Sequence, residues 1–91
     1  MDTQIVNKKT WFVYLLRCSD DTLYTGITNN LPRRIAQHGK GTAARYTRGR
    51  LPVVLVYSEC ADNRSCALRR EAEIKKLPRP EKVDLIATWQ T

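Results

Sequence analysis

Two short runs of hydrophobic residues open the chain, and a polar segment separates them. Residues 11–16 are aromatic and aliphatic, and residues 23–27 are again rich in β-branched and aromatic side chains. Such residues favour strands, and the polar residues 18–22 between them are typical of a hairpin loop. The pattern therefore predicts a β-hairpin that carries Tyr14 and Tyr24 on neighbouring strands.

A helix is predicted directly after the hairpin. Two asparagines at positions 29–30 can cap its N-terminus, a proline follows in its first turn, and Gly39 and Gly41 end it. Arg34 and His38 lie one helical turn apart, so they share one face of this helix.

The middle of the chain changes from basic and irregular to apolar. Residues 40–52 have little hydrophobic periodicity and several basic side chains, which predicts an exposed basic loop. Residues 53–57 are continuously apolar, as is typical of a strand buried on both faces. We expect this segment to be the central strand of a sheet that also contains the hairpin.

Two further helices complete the predicted order of elements. Asp62 or Asn63 caps the first, which runs to about Leu77, and two prolines separate it from a second that extends to residue 89. The order ββαβαα predicts an α+β fold. Residues 1–10 are expected to be a flexible lead-in and residues 11–91 a single domain, without repeats or linkers.

The composition of the chain narrows its class. With 91 residues, 42% of them hydrophobic and 27% charged, it is large enough for one compact core. Sixteen lysines and arginines against nine acidic residues leave a net charge of +7. A polyanion is the natural partner of such a surface, although charge alone does not separate DNA from RNA or an acidic membrane. A generally solvated basic surface is the alternative.

The cysteines and the N-terminus argue against several other classes. Cys18, Cys60 and Cys66 form no CxxC pair, and the single histidine lies far from them in sequence, so we expect no zinc site. The first ten residues contain no apolar leader, and no stretch approaches the length of a membrane span. A cytoplasmic protein with reduced thiols is expected.

Glu71 is the acidic residue whose predicted position is most informative. On the second helix, Ala67, Ile74 and Leu77 define an inward stripe, and Glu71 falls beside it. A carboxylate at the edge of a buried stripe needs a cation, a hydrogen-bond donor or a metal ion. An ordinary ion pair with Lys75, four residues on, is the alternative.

Other candidate residues also have ordinary interpretations. Glu73 lies further round the same helix and can pair with Arg69 or Lys76. Arg34 follows Arg33, and the two can form a solvated basic face. Tyrosines in strands are more often core residues, so only the whole set together points to a site.

The residues of this set resemble the paired tripeptides that name the GIY-YIG nuclease family. Residues 12–14 are Phe-Val-Tyr and residues 24–26 are Tyr-Thr-Gly. The likeness continues through Leu-Pro-Arg-Arg at 31–34, Gln-His at 37–38 and Ala-Leu-Arg-Arg-Glu at 67–71. It covers roughly residues 11–86 and is greatest to small stand-alone bacterial members, which share the segments at 40–43 and 45–50.

Three positions depart from the family pattern. Phe12 replaces the first glycine, Thr25 replaces the middle isoleucine, and Ile27 stands where excision-repair relatives have a lysine. The last departure concerns one assisting cation and not the core set.

The resemblance implies a three-stranded antiparallel sheet flanked by helices, with an active site on one face. It implies that Tyr24 is the general base or orients the attacking water, that Tyr14 assists it, and that Glu71 binds one Mg²⁺ or Mn²⁺ ion. Arg34 suits the charge that develops on a phosphate, since a guanidinium stays protonated and can bind two oxygens. His38 can relay a proton or donate to the phosphate.

The basic residues near this set are expected to bind the DNA backbone. Phosphate contacts give affinity without sequence choice, so we expect weak sequence specificity and targeting by a protein partner. Tyr46 is expected to stack on an unpaired base. The residues expected to contact phosphates are Arg33, Lys40, Arg45, Arg48 and Arg50.

The expected function is therefore a divalent-metal-dependent DNA endonuclease, selective for DNA structure and linked to repair or processing. Two alternatives stay open. One is a catalytically weak nucleic-acid-binding module of the same fold, and the other is a basic RNA- or ribosome-associated protein. The sequence predicts neither the physiological substrate nor the oligomeric state.

Overall fold

The computed structural model describes residues 10–90 and contains one three-stranded antiparallel sheet. The strands are β1 (Trp11–Arg17), β2 (Leu23–Thr28) and β3 (Val54–Ala61), arranged in the order β2-β1-β3. The helices are α1 (Leu31–Gly39), α2 (Arg45–Arg48), α3 (Arg64–Lys76) and α4 (Arg79–Gln90). This confirms the predicted α+β class and the order ββαβαα, to which α2 adds a single turn.

The predicted hairpin is confirmed, and β1 is its inner strand. β1 pairs with β2 on one side and with β3 on the other, and all four residues 13–16 are fully buried. Thus the prediction of a central strand at residues 53–57 was wrong. β3 extends to Ala61 at the edge of the sheet, and Val54 is 51% exposed. An apolar run indicates a strand but does not reveal how many neighbours that strand has.

Because successive side chains of a strand point to opposite faces of the sheet, one face packs on the hydrophobic core and the other lies toward α1. Val13 and Leu15 pack on the core face against Ala67 and Ile74 of α3. A bulge in the pairing of β1 with β3 lets two consecutive residues, Val56 and Tyr57, join this core. Trp11, Leu23 and Ile27 pack against the same core, whereas Tyr14 lies on the opposite face, where its hydroxyl meets His38 of α1.

Asparagine side chains fix the starts of the two helices that carry the candidate residues. Asn30 accepts from the backbone N–H of Arg33, and Asn63 accepts from that of Cys66 at 2.8 Å. Each such cap typically stabilises a helix by about 1 kcal/mol. The predicted caps are confirmed, and α3 ends at Lys76, one residue before the predicted Leu77. α4 begins at Arg79, so its second residue is one of the two prolines expected to precede it.

Two further predictions concern the ends of the chain and the membrane. The flexible lead-in was predicted for residues 1–10, of which 1–9 lie outside the described residues. Within residues 10–90, none of the helices combines the length and apolar character needed to cross a bilayer.

Candidate active site

The site begins with Tyr14 and Gly26, which face each other across the β1–β2 ladder. The Tyr14 ring lies over Gly26 so closely that a Cβ at position 26 would stand 2.5 Å from Tyr14 Oη. Real Cβ atoms do not approach other atoms so closely, so glycine is required here for steric reasons. Tyr24 lies on the same sheet face, with its ring centroid 6.5 Å from that of Tyr14.

His38 extends from α1 onto these two rings and is fully buried. Its Nε2 lies 2.8 Å from Tyr14 Oη, and its ring centroid lies 5.3 Å from that of Tyr24. Its Nδ1 lies 2.8 Å from Thr47 Oγ1. Burial, followed by the positive charge of Arg34, lowers the pKa of His38 from 6.5 to about 4. His38 is therefore neutral at pH 7, and both of its ring nitrogens have partners inside the protein.

Tyr14 is held in its protonated form by its surroundings. Burial raises the pKa of Tyr14 from 10 to about 12, against the lowering effect of the neighbouring Arg34 guanidinium. The charges of Tyr24 and Glu71 add to the rise. Arg34 and Glu71 thus both lie within electrostatic range of the Tyr14 hydroxyl.

Arg34 has few partners for a guanidinium at the edge of a buried cluster. Its Nη1 donates to Gln37 Oε1 at 3.3 Å, and its Nη2 makes a long contact of 3.5 Å with the Ala43 carbonyl. Its Nε is buried, and within residues 10–90 it has no hydrogen-bond partner. A buried donor without a partner costs roughly 1–3 kcal/mol, which an anionic ligand would recover.

A polar cleft of about 260 Å³ opens beside Arg34 at the start of α1. Guanidinium, amide and hydroxyl groups line it, and these groups hydrogen-bond readily to phosphate oxygens. The lining residues are Thr28, Asn29, Asn30, Arg33, Arg34 and Gln37.

Glu71 approaches the cluster from α3. Its side chain is only 18% exposed, and its Oε2 lies 3.5 Å from Lys75 Nζ, so the ordinary ion pair that the spacing allows is present. That distance is long for a strong pair, and the carboxylate still influences Tyr14. Glu73, by contrast, is 65% exposed and pairs with Arg70 at 3.1 Å. The predicted partners Arg69 and Lys76 were wrong, since Arg70 lies within reach on the same side of α3.

Arg70 also ties α3 to the edge strand. Its Nε donates to Glu59 Oε2 at 2.9 Å, and the Tyr57 hydroxyl donates to Glu59 Oε1 at 2.5 Å. The carboxylate of Glu59 raises the pKa of Arg70, as expected for a close ion pair. This network attaches α3 to β3 one residue before Glu71.

The segment predicted to be an exposed basic loop is only partly exposed. Arg45, Arg48 and Lys40 are exposed, but Thr47 is completely buried because its hydroxyl meets His38. The prediction of a loop was wrong at this point. The one-turn helix α2 brings Thr47 inward and its charged neighbours outward.

Arg50 and Tyr46 are engaged with the protein itself. Arg50 Nε pairs with Asp20 Oδ2 at 2.9 Å, and its Nη1 donates to the Tyr46 carbonyl at 2.8 Å. The Arg50 guanidinium also lies 4.0 Å from the centroid of the Tyr46 ring, a cation–π contact. Tyr46 in turn stacks on Tyr24 with centroids 5.7 Å apart. The carboxylate of Asp20 in the hairpin loop is thereby connected to Tyr24 through the side chains of Arg50 and Tyr46.

Charge is distributed very unevenly along the chain. No acidic residue lies between Asp21 and Glu59, a stretch that contains six arginines and lysines. Within residues 10–90, salt bridges engage none of its exposed cations Arg33, Lys40, Arg45 and Arg48. These side chains leave a positive field around the tyrosine face.

The structure thus brings four of the five predicted catalytic residues into one cluster: Tyr14, Tyr24, Arg34 and His38. Glu71 joins them through electrostatics and not through a direct contact. The cysteines are free, and within the described part of the chain no group of three or more His, Cys, Asp or Glu side chains converges. Sequence reasoning missed Thr47 and Gln37, because neither lies in an apolar pattern or a charged pair.

The family match assigns this fold to a nuclease-type class. The chain belongs to the GIY-YIG family, since the family described as the GIY-YIG catalytic domain matches residues 10–84. It is 54% identical to a UPF0213 protein of Natronomonas pharaonis over 76 residues, which cover 84% of this chain and 89% of that protein.

Two solution NMR structures are also similar to this chain. The UPF0213 protein BH0048 from Bacillus halodurans is 40% identical, with a TM-score of 0.56 over 87% of this chain and 84% of that one. The protein EF2693 from E. faecalis is 38% identical, with a TM-score of 0.61 over 94% and 92% of the two chains. Family membership and fold therefore agree.

Proposed function

We propose that this protein is a divalent-metal-dependent endonuclease that hydrolyses phosphodiester bonds in DNA. The observation that carries the proposal concerns Arg34: among residues 10–90 its buried Nε has no partner, while its guanidinium adjoins the tyrosine cluster and a polar cleft. A protein that only binds nucleic acid has no need to place a guanidinium with a buried, unpaired N–H beside two phenols. A phosphate in the cleft would satisfy it.

Arg34 would bind the scissile phosphate. Hydrolysis increases negative charge on the nonbridging oxygens, and a guanidinium can donate to two of them at once. Because Arg34 is already held by Gln37 and the Ala43 carbonyl, little reorganisation is needed when that charge develops. Its main contribution is therefore to the transition state.

Tyr24 would be the phenol that acts on the attacking water. Tyr14 is fully buried and protonated, with a pKa of about 12, so its role is to support Tyr24 from behind. Tyr24 is half-buried and reaches the side of the cluster that Tyr46 covers. A phenol is ordinarily a weak base at neutral pH, so Tyr24 would orient the water or accept its proton with help from nearby positive charge. His38 would act through Tyr14, because its ring is buried.

Glu71 would hold one Mg²⁺ or Mn²⁺ ion. Its half-buried carboxylate has a long, incomplete ion pair and lies near the phenols, which gives a hard oxygen donor of the kind that Mg²⁺ prefers. A single protein carboxylate is enough when water and phosphate oxygens complete the coordination shell. Such an ion, when bound, supplies positive charge that stabilises a phosphoryl oxygen.

The exposed cations would hold the DNA backbone on either side of the site. Arg33, Lys40, Arg45 and Arg48 are free to reach phosphates, whereas Arg50 would contribute mainly through its field. Tyr46 would meet a distorted or unpaired base at its exposed edge, since Arg50 already lies over its ring. Such contacts are independent of sequence, so we further propose selection by DNA structure, a role in repair or processing, targeting by a protein partner, and a cytoplasmic location.

The test is a cleavage assay on supercoiled, single-stranded and branched DNA, in Mg²⁺ or Mn²⁺ and in chelator. Wild type should cut at least one substrate with metal and none with chelator. Glu71→Gln should lose this activity, while the matched control Glu73→Gln, on an exposed face of the same helix, should retain it. Equal cleavage by Glu71→Gln and wild type would overturn the assignment of Glu71. Binding without cleavage by wild type would favour a nucleic-acid-binding module, which the uncompensated positive stretch would serve by itself.

A further inference from the structure

A chain of hydrogen bonds runs behind Tyr24 through groups that solvent does not reach. Thr47 Oγ1 lies 3.3 Å from the Ala44 carbonyl and 2.8 Å from His38 Nδ1. His38 Nε2 lies 2.8 Å from Tyr14 Oη. Tyr14, His38 and Thr47 are each 0% exposed, so water does not substitute for any of these partners.

One assignment of protons makes all three of these contacts hydrogen bonds. The Ala44 carbonyl, which also accepts from the Arg48 N–H, can only accept, so in this assignment Thr47 donates its single hydroxyl proton to it. The Thr47 oxygen must then accept from His38, which requires the proton of the imidazole to be on Nδ1. A neutral imidazole carries only one N–H, so Nε2 is an acceptor and Tyr14 donates to it.

We propose that Thr47 is a positioning residue that selects the Nδ1–H tautomer of His38 and thereby directs the Tyr14 hydroxyl proton toward α1. The lone pairs of Tyr14 Oη are then free to accept from a donor other than His38, and Arg34 is the neighbouring donor that lowers the pKa of this hydroxyl. With the other tautomer, Nε2 would donate to Tyr14, and the tyrosine proton would turn toward Arg34, which has donors but no acceptor.

The same hydrogen bond fixes α2 on α1. Thr47 is the buried residue of this four-residue helix, and its neighbour Tyr46 stacks on Tyr24. A helix of one turn has little stability of its own, so its position depends on such contacts. Thr47 therefore determines both the proton on Tyr14 and the placement of the ring that covers Tyr24.

The effect of Thr47 on catalysis rests on the proposed nuclease function. The His38 tautomer can be measured whether or not the protein is a nuclease. His38 is the only histidine in the chain, so ¹⁵N NMR of the full-length protein reports its two ring nitrogens without ambiguity. Wild type should show the proton on Nδ1 near neutral pH. A proton on Nε2 in wild type would overturn the proposal outright, whatever the variants do.

Two variants of position 47 separate the hydroxyl from the shape of the side chain. Thr47→Val keeps the shape, removes the acceptor for Nδ1–H, and should move the His38 proton to Nε2. Thr47→Ser keeps the hydroxyl and should retain the wild-type tautomer. An unchanged Nδ1–H tautomer in a folded Thr47→Val protein would contradict the role of Thr47. Should this variant not fold, Thr47→Ala, which removes the same hydroxyl, takes its place and is read in the same way.

Kinetics provide the second readout. If the protein cleaves DNA, Thr47→Val should lower kcat by on the order of ten- to a hundredfold, the size seen for partners that orient metal-binding histidines, with KM little changed. Thr47→Ser should restore most of this loss. A KM effect without a kcat effect would contradict the positioning role. An Nδ1–H tautomer in a protein without nuclease activity would support the chain of hydrogen bonds and reject only the proposed function.

Discussion

The Tyr14 ring occupies the space that any side chain at Gly26 would need, directly across the β1–β2 ladder. This relationship explains why a tyrosine on one strand and a glycine on its neighbour occur together at this spacing. It also places the Tyr14 hydroxyl against His38. The geometry of the cluster therefore depends on the absence of one Cβ.

Gly26→Ala should consequently destabilise the protein. The new Cβ would stand 2.5 Å and 2.6 Å from two Tyr14 atoms, so either the ring or β2 must shift. Overpacking of this kind typically lowers the free energy of unfolding by about 1–3 kcal/mol, and we expect a loss in that range for Gly26→Ala. Chemical denaturation measures the loss. Gly39→Ala is the control, since its Cβ would meet nothing within 4 Å, and it should leave stability unchanged or slightly higher. Equal effects of the two substitutions would contradict the steric argument.

Stability should fall as the pH is lowered from about 6.5 to about 4, in part because of His38. Its folded-state pKa is about 4 and the ordinary value is 6.5, so in this window the unfolded chain binds a proton that the folded protein does not. The contribution is fully present above pH 6.5 and disappears toward pH 4. A shift of this size corresponds to roughly 3 kcal/mol.

The histidine contribution can be separated from that of the carboxylates, which titrate at the lower end of the same window. Unfolding free energies of wild type and His38→Gln, measured at intervals between pH 7 and pH 4, give the difference that belongs to His38. Wild type should lose more stability than the variant. Parallel curves would show that His38 is not buried in its neutral form.

The basic residues should differ in how they affect the salt dependence of DNA binding. Arg48→Ala should reduce the slope of log K against log salt by roughly 0.9 if it removes one phosphate contact. Arg50→Ala should change the slope much less, because the Arg50 side chain is engaged by Asp20 and Tyr46. Titrations of fluorescent DNA at several salt concentrations measure both slopes. A larger slope change for Arg50→Ala than for Arg48→Ala would show that Arg50 leaves its internal partners to bind DNA.

Arg70→Met should weaken the attachment of α3 to β3 and disturb the neighbouring Glu71. The partly exposed Arg70 pairs with both Glu59 and Glu73, so the expected loss of stability is modest, about 0–1 kcal/mol for each pair. Any metal-dependent activity should fall by more than this small loss of stability can explain. Arg69→Met is the matched control, since among residues 10–90 the hydrogen bonds of the Arg69 side chain go only to Ser65 and Cys66 of its own helix. Similar activity of the two variants would show that Arg70 does not position Glu71.

Local features of the fold could be predicted from the sequence, and features that depend on distant partners could not. The hairpin and the caps at Asn30 and Asn63 are encoded within a few residues, and all are confirmed. The central position of β1, however, depends on where β3 pairs, which an apolar run does not reveal. The position of an element at the edge or the centre of a sheet is a tertiary property.

The same distinction applies to the candidate site. Arg34 and His38 share a helix face at a spacing that the helical period fixes, so their proximity could be predicted. Thr47 could not be found in this way, because its role arises only when a one-turn helix packs on α1. The partner of Glu73 was also mispredicted, since Arg69, Arg70 and Lys76 were all within helical reach.

The most direct test of the central claim is single-turnover cleavage of the preferred DNA by Arg34→Ala, without and with added guanidinium ion. Losing a preorganised donor to the developing charge should slow the chemical step by on the order of a hundredfold to a thousandfold. Free guanidinium should restore part of that loss. At saturating protein, Arg33→Ala should cleave at nearly the wild-type single-turnover rate, because the exposed Arg33 would contact the DNA backbone and not the scissile phosphate. Cleavage by Arg34→Ala at the wild-type rate would contradict the assignment of Arg34 to the transition state.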